Sequence, residues 1–153
     1  MLREKISEAL KDAMRSKNAA ALSTIRMINA GIKQKDIDVA RARGDQAITD
    51  EEILNLLQNL IKSRRESIEM FKQGGRQDLI EKESAEIAVI ERFLPRQLNA
   101  EETRDAVKAA IASAGAASIK DMSKVMAALK SQYAGQLDMS KVGPVVKELL
   151  GAA

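Results

Sequence analysis

Apolar side chains recur at spacings of three and four along almost the whole chain, a period that predicts helices. Ile6, Leu10 and Met14 form a four-residue stripe that predicts a first helix ending near Ser16-Lys17-Asn18. A second helix carries Leu22, Ile25, Ile28 and Ile32 on one side and is expected to fray through the charged residues 40–44. The hinge between the two is short, which predicts an antiparallel helical hairpin. Thr49-Asp50-Glu51-Glu52 reads as a capping box, with the Thr49 hydroxyl accepting from the Glu52 N–H and the Glu52 carboxylate reaching back. Three acids in that turn also complement the helix dipole. The third helix then runs through Ile53, Leu57, Leu60, Ile61, Ile68 and Phe71 and stops at Gly74-Gly75. A fourth is expected over residues 77–94, with Leu79, Ile80, Ile87, Ile90 and Leu94 inward, ending before Pro95.

Residues 95–99 form the best boundary. Upstream the predicted helices are long and highly charged; downstream they are shorter and richer in Ala. Asn99-Ala100-Glu101-Glu102 caps a fifth helix that passes through Val107 and Ile111 to Gly115. Ser118 to Asp121 caps a sixth, carrying Ile119, Met122, Val125, Met126, Leu129 and Tyr133 and ended by Gly135. Asp138 caps a last helix with Val142, Val145, Val146, Leu149 and Leu150 inward, and Pro144 predicts a kink or a restart within it. The expectation is an all-α chain: an N-terminal bundle of about four long helices over residues 1–95, then a small three-helix orthogonal bundle over residues 96–153. No internal repeat or low-complexity segment interrupts the pattern.

Composition sharpens this. Apolar residues make up 45% of the chain and aromatic ones only 2%, so the core is built from Leu, Ile, Val, Met and Ala, side chains that suit helices. Cysteine and histidine are both absent. That excludes disulfides, thiolate zinc sites, His-ligated metals and the Cys–His and Ser–His–Asp hydrolase arrangements. Chemistry by Lys, Ser or carboxylates alone stays open. The charged start Met1-Leu2-Arg3-Glu4-Lys5 lacks the apolar run of a secretory signal, and no stretch approaches 18 uninterrupted apolar residues. A cytoplasmic location and no membrane partner are expected from this.

The net charge of +3 conceals segregation. From Arg15 to Arg43 basic residues (Arg15, Lys17, Arg26, Lys33, Lys35, Arg41, Arg43) face only Asp36 and Asp38; between Asp78 and Glu102 acids dominate; from Ala106 onward lysines prevail again. Such a pattern suits a polyanion partner, and equally suits solvated helix faces. Lys120 and Lys124 lie one turn apart on the sixth predicted helix, opposite the Met122/Val125/Met126/Leu129 stripe, and Lys130 and Lys141 extend the surface. On the third helix Lys62 and Arg65 share a face with Glu69 and Lys72, and the densest basic group there also includes Arg64 and Arg76. These six, Lys120, Lys124, Lys130, Lys141, Lys62 and Arg65, are the candidate phosphate contacts. The solvated alternative for the third helix has Lys62–Glu66 and Arg65–Glu69 pairs. Met122 and Met126 read as core. The acids Glu51-Glu52 and Glu81/Glu83/Glu86 do not read as a metal site, since capping accounts for the first pair and no histidine is present. Three aromatics, Phe71, Phe93 and Tyr133, are too few for a base-stacking platform.

Several blocks together carry a resemblance: Leu22-Ser23-Thr24-Ile25-Arg26-Met27, Lys62-Ser63-Arg64-Arg65-Glu66-Ser67, Gly75-Arg76-Gln77-Asp78-Leu79, Glu91-Arg92-Phe93-Leu94-Pro95-Arg96-Gln97-Leu98 and Lys120-Asp121-Met122-Ser123-Lys124-Val125-Met126. In order and spacing the chain resembles the YqeY family over essentially its whole length. The resemblance implies a helical N-terminal domain and a C-terminal module similar to the tail of the B subunit of glutamine-dependent tRNA amidotransferase. That tail helps hold tRNA, while the chemistry occurs elsewhere in the enzyme. The family label of carbon–nitrogen ligase with glutamine as amido donor would arrive through this module. Amide transfer needs a nucleophile to release ammonia and a nucleotide site to activate the carboxylate. No glycine-rich phosphate loop and no Ser–Lys amidase arrangement is found in the sequence, so no catalytic residue, cofactor or metal is assigned. Where the family often has Gly, this chain has Ser123 and Ala127. Three readings follow: a non-catalytic tRNA- or RNA-binding adaptor, an accessory of amidotransferase subunits, and a helical protein-interaction module.

Overall fold

Helical periodicity becomes helix throughout a computed structural model that describes residues 1–44 and 47–151. Seven α-helices and one 3₁₀ turn form, and no strand occurs among the described residues. They fall into two compact units, one of Met1–Leu94 and a second beginning at Pro95. The last two residues of the chain lie outside the described set.

The first unit holds α1 (Leu2–Arg15), α2 (Ala19–Arg43), α3 (Asp50–Gln73) and α4 (Gln77–Glu91). α1 packs on α2 and α3 on α4, and α2 also contacts α3 and α4. Ile6, Ile25, Ile28, Ile53, Leu57 and Ile90 are fully buried at the centre. The stripe read along α1 needs one change: Ala13 is buried and Met14 is half exposed. A strict four-residue step drifts about 40° per repeat around a helix of 3.6 residues per turn, so the buried face slips from position 14 to 13. α2 does not fray at residues 40–44. It continues to Arg43, where Gly44 takes φ +77° and donates to the Ala40 carbonyl. Its far half is held by side chains: Arg3 forks onto Asp36 at 2.6 and 3.0 Å, and Arg43 meets Glu52 at 2.8 Å. Asp36 also accepts from the Ile48 N–H, seating Ile48 in the core just before α3. α4 stops at Glu91, with Phe93 folded into the core by the turn that follows.

The second unit holds α5 (Ala100–Ala114), the 3₁₀ turn Ile119–Asp121, α6 (Met122–Gln132) and α7 (Met139–Gly151), with the three α-helices in mutual contact. Val107, Val125, Leu129, Val142 and Val146 are fully buried between them. Before α5, the Leu98 N–H donates to the Gln136 carbonyl, and the Gln97 and Gln136 side chains donate to the Gly135 and Arg96 carbonyls, clasping the incoming strand of chain to the α6–α7 loop. Pro144 produces no restart, since α7 runs unbroken past it. Pro144 sits early in the helix and on its exposed side, so its missing N–H leaves only the solvent-facing Ser140 carbonyl without an i+4 donor. Gly143 before it has no Cβ to crowd the proline ring.

Candidate nucleic-acid interface

Within the second unit four of the six acids are engaged by neighbouring groups, while Glu101 and Asp105 stay exposed without an ion pair among the described residues. Asp121 turns its carboxylate back to the Ala117 and Ser118 N–H groups, which hold it below the usual carboxylate range, helped by the charge of Lys124. Asp138 accepts from the Ser140 N–H and hydroxyl at the start of α7. Glu102 completes the Asn99 capping box and takes both Arg96 amino groups at 2.7 and 2.9 Å; that fork, and then the Asn99 N–H, bring its carboxyl down to about 2. Glu148 faces Arg104 at 3.4 Å.

The lysines are the reverse case. Lys108, Lys120, Lys124, Lys130, Lys141 and Lys147 are exposed, and none makes an ion pair among the described residues. Lys120 does not stand on α6 as the sequence suggests. It occupies the 3₁₀ turn Ile119–Asp121, which adds its own tighter turn ahead of α6. Lys124 is in the first turn of α6, Lys130 in its last, and Lys141 near the start of α7. At 100° per residue Lys124 and Lys130 flank the outward side of α6 about 120° apart, rather than sharing one row. Between them that side presents only the short, exposed Ser123, Ala127 and Ser131. Val125 and Leu129 are buried opposite, with Met122 and Met126 half-buried beside them.

The α3 candidates fare differently. Arg65 pairs with Glu91 of α4 at 3.5 Å and Lys72 with Glu69 at 3.0 Å, while Lys62 is exposed with no ion pair among the described residues. Arg64 leaves the basic group altogether. Its guanidinium lies between helices, with Nε 2.9 Å from Glu86 and 3.9 Å from Glu83, a bond to the Leu60 carbonyl, and another to the Met27 sulfur. Sequence spacing could not reveal this, because the partners come from a separate helix. Among the described residues no cluster of three or more carboxylates is arranged to hold a metal ion. No helix among them is long and apolar enough to cross a membrane.

A family model described as Yqey-like protein matches residues 3–150. The chain belongs to the Yqey-like protein family. It is similar to a Pyrenophora tritici-repentis protein named "Altered inheritance of mitochondria protein 41, mitochondrial", 35% identical over 94% of this chain and 77% of the relative. Proteins of the same name from Lachancea thermotolerans and Eremothecium gossypii are 37% and 34% identical, each over 58% of this Yqey-like chain and 46% of their own length. The chain thus spans less than half of those two relatives. Their names place those proteins in mitochondria, which overturns the cytoplasmic assignment expected from the sequence. The physical reason is that lacking an apolar segment argues only against secretion, since mitochondrial addresses are amphipathic and basic rather than apolar.

Proposed function

We propose that this Yqey-like chain is a non-catalytic adaptor that binds tRNA through the exposed lysines of its second unit. One observation carries the reading. Four of the six acids there are engaged by arginines or caps, which leaves Glu101 and Asp105 against six lysines that stay unmatched at the surface. Polyanion binding needs this condition, because each lysine can displace a counterion from a phosphate without first breaking a bond within the protein. The short side chains on the outward side of α6 let a sugar–phosphate backbone come close to the helix. The resemblance of the segment from roughly Ser118 to Leu150 to the amidotransferase tail supports tRNA over other polyanions, and the relatives' names add mitochondrial tRNA as a probe beside bulk tRNA. Titrating the chain into tRNA between 50 and 200 mM salt, salts in the range used for such slopes, tests the reading. A steep linear fall of log K with log salt supports it; binding that is absent at low salt removes it.

A further inference from the structure

Eleven arginines occur in the chain, and eight of them are ion-paired: Arg3, Arg15, Arg43, Arg64, Arg65, Arg76, Arg96 and Arg104. The three without an ion pair among the described residues are Arg26, Arg41 and Arg92, and two of these are on α2. At 100° per residue, Arg26, Lys33 and Arg41 fall within an arc of about 80°, centred about 150° round the helix from the buried Ile25, Ile28 and Ile32. All three are exposed, as are Ala30 and Ile37 between them. The rise of a helix spaces the cations about 11 and 12 Å apart along one straight line of about 22 Å. Neither acid of α2 answers them. Asp36 is gripped by Arg3 and the Ile48 N–H, and Asp38 accepts from Gln34. The spacing of seven and eight residues is present in the sequence, and the packing adds that none of the three cations has an acidic partner among the described residues.

We propose that this stripe is a second phosphate-binding surface, on the first unit, which tracks the backbone of a folded RNA. It rests on the RNA reading above and deepens it, since it assigns the first unit a phosphate-binding surface of its own. An open guanidinium offers a planar fork that fits phosphate oxygens, and two such forks with a lysine between them suit a linear array of phosphates. An anionic membrane is the poorer fit: a surface helix needs a broad apolar face to insert, and between the cations this side of α2 offers only Ala30 and Ile37.

The test compares the intact chain with Arg26→Gln/Lys33→Gln/Arg41→Gln, and with the corresponding triple change to Glu, using bulk tRNA as probe. A control variant, Lys11→Gln/Arg15→Gln/Lys72→Gln, removes three cations that already have acidic partners. Helicity is checked by circular dichroism, and the Gln variant keeps the test sound if reversal to Glu disturbs the fold. The expected result is a salt slope lower by about two to three units in the stripe variants and little changed in the control. An equal drop in the control would overturn the stripe, as would stripe variants with an unaltered slope. In the latter case a lowered slope in a Lys120→Glu/Lys124→Glu variant would leave the adaptor reading standing. Absence of tRNA binding by the intact chain would sink both. Stripe-dependent binding to phosphatidylserine vesicles, with the tRNA slope unaffected, would also reject the proposal and assign the surface to lipid.

Discussion

Arg64 and Glu86 meet between α3 and α4, Nε to carboxylate oxygen at 2.9 Å, with the arginine side chain only 12% exposed. Because the helices run in opposite directions from the short 74–76 connection, a residue early in the second half of α3 faces one late in α4. The guanidinium then reaches Met27 of α2, so a single side chain joins three helices of the first unit.

Removing that arginine leaves Glu83 and Glu86 half-buried without their cation. Arg64→Ala is therefore expected to lower stability by about 2–3 kcal/mol. Adding Glu83→Gln and Glu86→Gln should recover part of the loss, because neutral amides do not need a cation. Arg65→Ala, whose pair with Glu91 is exposed, should change stability by about 0.5 kcal/mol or less. Urea midpoints at constant slope provide the measurement. Equal effects at positions 64 and 65 would contradict the assignment.

These two neighbours also show what the sequence makes legible. Spacing and caps specify each helix, since both act within a few residues: Thr49–Glu52 is the capping box read from the sequence, and the Asn99 cap read there forms a box with Glu102. Contacts between elements follow other rules. Arg64 and Arg65 are adjacent and chemically alike, and only the packing of α3 on α4 turns one inward and leaves the other at the rim. Ile48 and Leu137 are buried from connections that have no periodicity to read. Lys120 is displaced into a 3₁₀ turn because Asp121 turns back to cap Ala117 and Ser118 instead of continuing a regular helix. The candidate site was therefore legible as residue types, and its true faces were not.

The acid limb of stability should depend on Asp36. Its pairing with Arg3, and then the Ile48 N–H, hold the carboxyl below its ordinary value, against the opposing effect of burial. A lowered folded-state value means the stabilisation is complete above the unfolded value of about 4 and is lost as pH falls through the folded one. Asp36→Asn should thus be less stable than the parent at pH 7, and the gap should narrow as pH is lowered through the acid range. Glu102 acts in the same sense between its ordinary 4.5 and about 2. Chemical unfolding at a series of pH values checks this; a gap that stays constant with pH would count against the Arg3–Asp36 linkage.

Thr49 caps the longest stretch of acidic first turn in the chain, accepting from the Glu52 N–H at 3.2 Å while Glu52 accepts from its N–H at 2.7 Å. Thr49→Ala should cost about 1 kcal/mol, and Thr49→Ser or Thr49→Asp should restore most of it. Thermal unfolding of the three variants is sufficient, and no difference between Ala and Ser would argue that the cap is not formed in solution.

The proposed phosphate contacts at the unmatched lysines of the second unit are tested most directly by the salt slope of tRNA binding by Lys120→Glu/Lys124→Glu. Both side chains are exposed and free of ion pairs among the described residues, so stability should move by no more than about 0.5 kcal/mol. If both contact phosphate, affinity falls at every salt concentration and the slope drops by about two units. A variant that keeps the parent's affinity and slope would contradict the proposal and remove Lys120 and Lys124 as RNA contacts.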